Sequence, residues 1–286
     1  MRVELIAVPY DSGRRGERMG AGPEHLLQAG LPARLAQSGH EVRVRVLEAP
    51  TEGWRAEIRT AFDLAGAVAD AVRGACATGA FPLVLSGNCG PAGLGAVAGL
   101  PTSPAVFWFD AHGDFNTPET TIGGFLDGMA LATLTGRCWA QLTARLPGFR
   151  PVPEARVTLI GARDLDPLEA AALETSALRR LSVGELQAAL PTVLGARRGD
   201  STAAYVHLDA DVLDPSEGRA NSYAAPAGLT LTEVEWAIRA IATALPLRVA
   251  ALTSLDPACD PGGRASEAAL NLAVALVDAA QRERGA

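Results

Sequence analysis

Apolar and polar positions along this chain follow two different periods. Short apolar runs rich in Val, Leu, Ile and Phe fall at residues 3–9, 42–47, 82–86, 105–110, 157–161, 204–209 and 248–256. Runs of that length and composition predict buried β-strands. Between them, apolar residues recur at helical spacing near 23–37, 54–77, 90–98, 127–134, 167–174, 183–189, 231–244 and 265–281. This alternation predicts an α/β fold, a mainly parallel sheet covered by helices on both faces. No repeat, low-complexity tract or linker interrupts the pattern, so residues 1–286 read as a single domain. The last helical segment carries Leu270, Ala273, Leu276 and Val277 on one face. That is the pattern of core packing or a subunit contact, not of a membrane anchor.

Chemistry-bearing residues concentrate where the predicted strands end. Val106-Phe107-Trp108-Phe109 leads into Asp110-Ala111-His112-Gly113-Asp114-Phe115-Asn116. Side chains at i, i+2 and i+4 of an extended chain share a face, so Asp110, His112 and Asp114 converge as far as the strand continues. Further on, Tyr205-Val206-His207-Leu208 leads into Asp209-Ala210-Asp211-Val212-Leu213-Asp214-Pro215. Isolated buried carboxylates are costly unless paired or coordinated. Carboxylate oxygens with one imidazole suit a divalent ion such as Mn, Fe, Co, Ni or Zn. Two such strand ends side by side hold charge to spare for one ion, and enough for two. A third predicted strand, 82–86, is followed by Asn88 and Cys89. Ligands of open parallel sheets sit beyond the carboxyl ends of the strands, so these ends frame one crevice.

Composition narrows the chemistry. A net charge of −7 over 286 residues argues against nucleic acid, whose binding leans on basic patches. No apolar stretch reaches the length of a membrane span, and Met1-Arg2-Val3-Glu4-Leu5 enters a strand directly, so a cytoplasmic protein is expected. All 25 basic residues are arginine. Without lysine, neither a lysine Schiff base nor a Walker-type P-loop can form. Cys76, Cys89, Cys138 and Cys259 have no paired spacing, which suggests neither a disulfide framework nor a CxxC zinc site. The histidines are His25, His40, His112 and His207, and no serine sits on a nucleophile elbow. The glycines from Gly87 to Gly95 miss the register of a dinucleotide-binding loop and read as close helix–strand packing.

Several segments together carry a family resemblance. They are Val8-Pro9-Tyr10-Asp11-Ser12-Gly13 with Gly20-Ala21-Gly22-Pro23, then Gly87-Asn88-Cys89, then Asp110-Ala111-His112-Gly113-Asp114-Phe115-Asn116-Thr117-Pro118. Gly161-Ala162-Arg163-Asp164-Leu165-Asp166-Pro167 and Asp209-Ala210-Asp211-Val212-Leu213-Asp214-Pro215 complete the set. Over nearly its whole length the chain resembles the arginase/agmatinase (ureohydrolase) family, and the DAHxDxN and DxDxxDP motifs in this order are highly specific. The resemblance implies a three-layer arginase-like fold with about eight strands in a mainly parallel sheet. It also implies two Mn2+ ions bridged by a hydroxide, and a trimeric or hexameric homo-oligomer. By this resemblance Asp110 and Asp209 bridge the two metals, Asp114 completes one site, and His112 and Asp211 complete the other. Two cations on shared carboxylates would depress the pKa of a bridging water toward neutrality. The hydroxide so formed would attack a planar amidine or guanidine carbon, with the developing charge stabilised by the same ions.

The chain departs from that family at several site positions. The family motif G-G-D-H-S reads Gly87-Asn88-Cys89-Gly90 here, with Cys89 in place of a metal-binding histidine. Cys89 is either a softer ligand, deprotonated by the metal it binds, or a small buried thiol that touches no metal. His207 shares the strand face of Asp209 and is either a compensating ligand or a core residue. The family's S-G-N-x-H-G reads Gly123-Gly124-Phe125-Leu126-Asp127-Gly128, with Asp127 in place of a proton-shuttling histidine. An aspartate can carry the proton if its pKa lies near the operating pH, and can also cap the helix that starts at Gly128. The family's guanidinium-binding glutamate falls at Ser254, which cannot offer a charged bidentate partner. Asp256 is the candidate substitute if the strand persists, with Asp260 a weaker one. Asn116, Thr121, Asp166 and Glu169 match positions that hold the amino-acid end of the substrate in arginases. Gly123 and Phe125 replace a polar pair, so the pocket keeps acids for an amine, loses donors for a carboxylate and gains an aromatic wall.

The expected function is a metal-dependent hydrolase of a non-peptide C–N bond, an amidinohydrolase. Its small-molecule substrate is a guanidino or amidino compound other than plain arginine, attacked by a metal-bound hydroxide. Asp110, His112, Asp114, Asp209, Asp211 and Cys89 would hold Mn2+, as two ions or as one. Asp127 would shuttle the proton. Asn116, Thr121, Phe125, Asp166, Glu169, Ser254 and Asp256 would bind substrate. Two alternatives stay open: a metal-binding or regulatory homologue without catalysis, and a one-metal deacylase-like enzyme.

Overall fold

The computed structural model describes residues 1–52, 56–197 and 203–284, without the side chains of 282–284. Eight strands form the main sheet: β1 (Arg2–Val8), β2 (Glu41–Val46), β3 (Phe81–Ser86), β4 (Ala105–Phe109), β5 (Val157–Ile160), β6 (Arg179–Leu181), β7 (Ala204–Asp209) and β8 (Leu247–Thr253). Their spatial order is β2-β1-β3-β8-β7-β4-β5-β6, and every pairing is parallel. A two-stranded hairpin, Tyr10–Asp11 with Arg14–Arg15, follows β1.

The helices are α1 (Gly22–Gln28), α2 (Leu31–Gln37), α3 (Glu57–Ala77), α4 (Cys89–Gly99), α5 (Ala130–Leu134), α6 (Ala140–Thr143), α7 (Pro167–Glu174), α8 (Leu186–Arg197), α9 (Leu231–Ala244) and α10 (Arg264–Arg284). Alternate strand residues face opposite layers, as pleating requires. Leu5, Leu83, Phe107, Val206 and Leu252 pack on one side with Leu35, Ile238 and Leu276 from α2, α9 and α10. Ile6, Val84, Trp108, Tyr205 and Ala251 pack on the other with Leu64, Val68 and Val97 from α3 and α4. The buried strands are apolar on both faces because both faces are covered.

Departures from the predicted elements have local causes. The predicted helix 23–37 is two helices, broken at Gly30, whose φ of 98° lies in the left-handed region. The predicted 127–134 and 183–189 helices each begin with a 3-10 turn before α5 and α8. The α3 helix begins at Glu57, and Trp54, where the pattern placed its start, lies outside the described residues. β6 has no counterpart among the predicted strands. β8 ends at Thr253 instead of 256, because Ser254 turns the chain with a φ of 64°.

The α3–α4 contact depends on glycine. A Cβ on Gly95 would lie 2.7 Å from the carbonyl oxygen of Ala65 and collide with Val68, and one on Gly99 would lie 2.6 Å from Val72 Cβ. Gly95→Ala is therefore expected to force the helices apart and to cost about 1–3 kcal/mol. Urea denaturation checks this, with a lowered midpoint at unchanged slope as the expected result.

Candidate metal centre and active-site cavity

Four adjacent strands, β3, β8, β7 and β4, finish at one edge of the sheet, and each hands over a residue of the site. Cys89 opens α4 just after β3, Ser254 follows β8, Asp209 ends β7, and Asp110 follows β4. β4 stops at Phe109, so Asp110, His112 and Asp114 are brought together by a loop and not by strand alternation. Asp114 takes a left-handed φ of 49° to do so.

Two donor groups result. Ligand atoms of Cys89, Asp110 and Asp209 lie within 4.8 Å of one another, and so do those of Asp110, His112 and Asp211. Asp110 belongs to both groups. Asp114 lines the same cavity, and its buried Oδ2 has no hydrogen-bond partner. A buried, unpartnered carboxylate oxygen beside three more buried carboxylates is what a divalent cation would satisfy, so the donor set fits a metal.

The electrostatics agree. Burial, with the charges of Asp110, Asp127, Asp209 and Glu169, pushes the Asp114 carboxyl well above its ordinary range. Burial and the Asp211 and Asp110 charges do the same to Asp209. Burial, with Asp211 adding to it, also raises Asp110, against the hydrogen bond from His112. Burial would lower the His112 imidazole, but Asp110, Asp211 and Asp209 outweigh it and push it up to about 10. Cys89 is raised well above its usual value by burial and by Asp209, Asp127, Asp114 and Asp110. The Cys89 thiol donates to Asp209 Oδ2 at 3.1 Å.

The ligand-bearing loops are fixed from behind. Arg163 donates to the carbonyls of Asp211, Leu213, Ala225 and Pro226, tying the segment after β7 to the loop beyond it. Asn221, fully buried, donates to Asp211 Oδ2 at 3.1 Å and to the carbonyl of Ser254 at 2.9 Å. Ala111 N donates to Asp211 Oδ1, and Asp211 N to Asp209 Oδ1.

Above the centre lies a cavity of about 260 Å3. Cys89, Asp110, His112, Asp114, Asn116, Thr121, Phe125, Asp127, Asp166, Glu169, Asp209, Asp211 and Ser254 all line it, as the sequence placed them. Asp256 does not. Because β8 ends early, its carboxylate turns away, accepts from Ala258 N at 3.0 Å and caps a 3-10 turn. Asp260 is likewise occupied, accepting from the backbone and hydroxyl of Ser266. His207 is a core residue. It is fully buried, stacks on Trp108 with ring centroids 3.5 Å apart, and takes a 2.6 Å hydrogen bond between its Nδ1 and the Tyr205 hydroxyl. Burial pulls its pKa well below the usual value.

Asp127 is a cap, but of a different helix from the one expected. Its Oδ2 accepts from Cys89 N and Asn88 Nδ2, each at 2.9 Å, and its Oδ1 accepts from Gly90 N at 2.8 Å. It thus closes the N-terminus of α4. Burial raises its pKa to about 7 against those hydrogen bonds. Glu169 accepts from Phe115 N and Asp166 N, and Asp166 Oδ2 accepts from Asn116, so the acids of α7's first turn also organise the wall.

Sequence reasoning missed Met19, Asp164, Asn221 and Tyr223 as lining residues. Asp164 lay within a segment that carried the resemblance. Asn221 and Tyr223 sit in a loop with no motif, and only the fold brings them to the mouth. Tyr223 stacks on Phe125 with centroids 5.5 Å apart and meets His112 edge-on.

A parallel α/β sheet whose central strand ends gather carboxylates, an imidazole and a thiol around one cavity defines an α/β protein with a candidate site for divalent metal. The chain belongs to the arginase family, whose sequence model matches residues 1–278. It is 27% identical to an arginase from Bacillus caldovelox over 288 residues, covering 94% of this chain and 96% of that one. The crystal structure of arginase from Bacillus cereus superposes with a TM-score of 0.86 at 26% identity, covering 96% of this chain and 98% of the other. Formimidoylglutamase from Bacillus subtilis shares the fold, with a TM-score of 0.78 at 17% identity over 97% of this chain and 86% of that one. Among the described residues no helix is long and apolar enough to cross a membrane.

Two outcomes follow from the charge distribution. Asp110, Asp114, Asp127 and Asp209 all have raised folded-state pKa values, so the folded chain holds more protons than the unfolded one above the ordinary carboxylate range. For Asp127 that stabilisation is full below the unfolded carboxylate pKa of about 4 and is lost as pH rises through about 7, and for the other three it is lost as pH rises through their raised values. The metal-free Tm is expected to fall by several degrees between about pH 5 and about pH 8, and a divalent ion should restore most at the higher pH. Thermal scans with and without chelator check it. Asp127→Ala should cost about 1–3 kcal/mol, because three donors at the start of α4 lose their acceptor. Denaturant titration of the variant reads this directly.

Proposed function

We propose that the chain is a metal-dependent amidinohydrolase that cleaves a C–N bond of a guanidino or amidino small molecule whose far end is neutral or cationic. The observation that carries this reading is the pair of donor groups sharing Asp110 at the floor of the cavity. Asp110, His112, Asp114, Asp209 and Asp211 are the residues that would hold the ions, manganese being the metal expected from the resemblance. When bound, such ions supply a hydroxide near neutral pH and stabilise charge on the carbon as it becomes tetrahedral.

The remaining steps belong to side chains. Asn221 keeps Asp211 turned toward the centre while its other bond holds the end of β8. Phe125 and Tyr223 present flat apolar surface at the mouth, suited to a planar amidine and able to shed water from it. Asp127 lines the cavity and would return a proton to the departing amine. Asp164 and Asp166 line the same cavity and would meet a substrate amine.

Charge supports a substrate other than arginine. Eight carboxylates and no arginine are found among the described residues that line the cavity, and the chain has no lysine. A substrate carboxylate would enter without an arginine or lysine partner among eight carboxylates, an unfavourable arrangement in a partly buried site. Ser254 adds no charge for a guanidinium, which leaves the ligand carboxylates and Asp127 as the anions near the reacting end.

The test is a panel of guanidino and amidino compounds, arginine included, assayed for urea or ammonia release with the metal-loaded chain. Amine-ended or neutral members are expected to exceed carboxylate-ended ones at least tenfold in kcat/KM. Asp127→Ala should lower kcat by about a hundredfold or more with little change in KM. Arginine as the preferred member would overturn the substrate assignment. Retained metal with no turnover on any member would favour the non-catalytic reading.

A further inference from the structure

The metal centre is unsymmetrical in a way that bears on which ions it selects. One donor group is Asp110, His112 and Asp211, all oxygen and nitrogen. The other replaces its nitrogen with the sulfur of Cys89, beside Asp110 and Asp209. Soft thiolate ligands favour zinc and neighbouring thiophilic ions, whereas a site whose charged donors are carboxylates suits manganese.

Building on the hydrolase reading above, we propose that this chain holds two unlike metals: a thiophilic ion such as zinc in the Cys89 subsite, and a harder ion such as manganese in the His112 subsite.

The surroundings of the sulfur favour a thiolate ligand over an inert thiol. Thr253 Oγ1 lies 3.2 Å from Sγ and Ser254 Oγ lies 3.5 Å from it, so two hydroxyls can turn their protons toward a coordinated sulfur. Supporting hydrogen bonds of this kind orient ligands and tune metals. The orphaned Oδ2 of Asp114 lines the same cavity and is a further oxygen that a cation would satisfy, independent of the cysteine. Ser254 thereby gains a role that its replacement of a glutamate had obscured. A glutamate in its place would set another anion near the sulfur, whereas a hydroxyl can donate to it.

The exchange balances simply. A divalent ion enters, the Cys89 S–H bond breaks, a metal–sulfur bond forms, and one proton leaves to solvent. No redox partner is needed. Cys89 is also the cysteine that lines the cavity. Cys138 sits against Thr133 and Cys259 against Asp256, both away from the donor groups.

The experiment strips the full chain of metal and then supplies manganese alone, zinc alone, cobalt alone, or manganese and zinc together. Ions per chain are counted by elemental analysis, and the cobalt form is examined by absorption spectroscopy. With zinc held to one equivalent per chain and manganese in excess, the mixture is expected to leave one zinc and one manganese per chain. Cobalt should give a sulfur-to-metal charge-transfer band in the near ultraviolet. In Cys89→Ser that band should vanish and zinc retention from the mixture should fall at least tenfold, while manganese at the other subsite persists. Circular dichroism confirms that the variant is folded; should it not fold, the cobalt spectrum of the unaltered chain decides alone. Two manganese ions taken from the mixture, or a cobalt form without the sulfur band, would overturn the proposal and leave the hydrolase reading standing. A chain that retains no ion under any condition would overturn both.

Discussion

Crowded negative charge at the ends of the central strands is the constraint around which this molecule is arranged. Asp110, Asp114, Asp209 and Asp211 are all buried, and among the described residues the His112 imidazole is the only basic side chain that lines the cavity with them. Such a cluster can persist only if protons or cations neutralise it, because like charges in a poorly solvated site repel strongly. The backbone around it is correspondingly over-determined. Asp114 and Ser254 both take left-handed conformations that cost energy for residues with side chains. Arg163 spends its hydrogen bonds on backbone carbonyls, not on the acids, and so pins the loops that carry them.

The departures from the family pattern look, along the sequence, like separate losses: a ligand histidine, its neighbouring aspartate, a proton shuttle and a substrate glutamate. In space they touch. Asn88 and Cys89 donate to Asp127, and the sulfur of Cys89 lies between Asp209 and the hydroxyls of Thr253 and Ser254. Replacing any one of them alone would leave a donor or acceptor unmatched within a buried cluster. The four residues are better understood as one alternative solution than as erosion. The same geometry explains why Asp127 serves two ends: its carboxylate closes α4, the helix that carries Cys89, and so the cap and the metal subsite share one support.

Much of this was legible in the sequence, for physical reasons. Strands covered on both faces have to be continuous apolar runs, so β1, β3, β4, β7 and β8 could be read directly. β6 could not, because Arg179-Arg180-Leu181 is a three-residue edge strand in which Leu181 alone is buried. The acids and imidazole were legible because their residue types at strand ends have few other uses. Their mode of convergence was not, since β4 stops before Asp110 and a loop completes the site. Asp256 was misplaced for the same reason. One residue with positive φ, Ser254, ended the strand whose persistence that assignment needed. Asn221 and Tyr223 left no local signal, because their partners come from β7, β8 and the 121–125 loop.

Below the candidate metal ligands lies a floor that gives the site its rigidity. Trp108 and His207 precede Asp110 and Asp209 by two residues on neighbouring strands, and their rings stack with only 5° between planes. Trp108 Nε1 donates to Asp110 Oδ2, and the Tyr205 hydroxyl holds the far side of the His207 ring. This places His207 out of reach of the mouth and makes it useful in another way. A neutral imidazole is flat, so it can stack where an aliphatic side chain would not lock the strands in register. It also offers one nitrogen to the buried Tyr205 hydroxyl and the other to Thr253. The spacing of Asp110 and Asp209, on which any shared-metal geometry rests, is thus set one layer deeper than the ligands themselves.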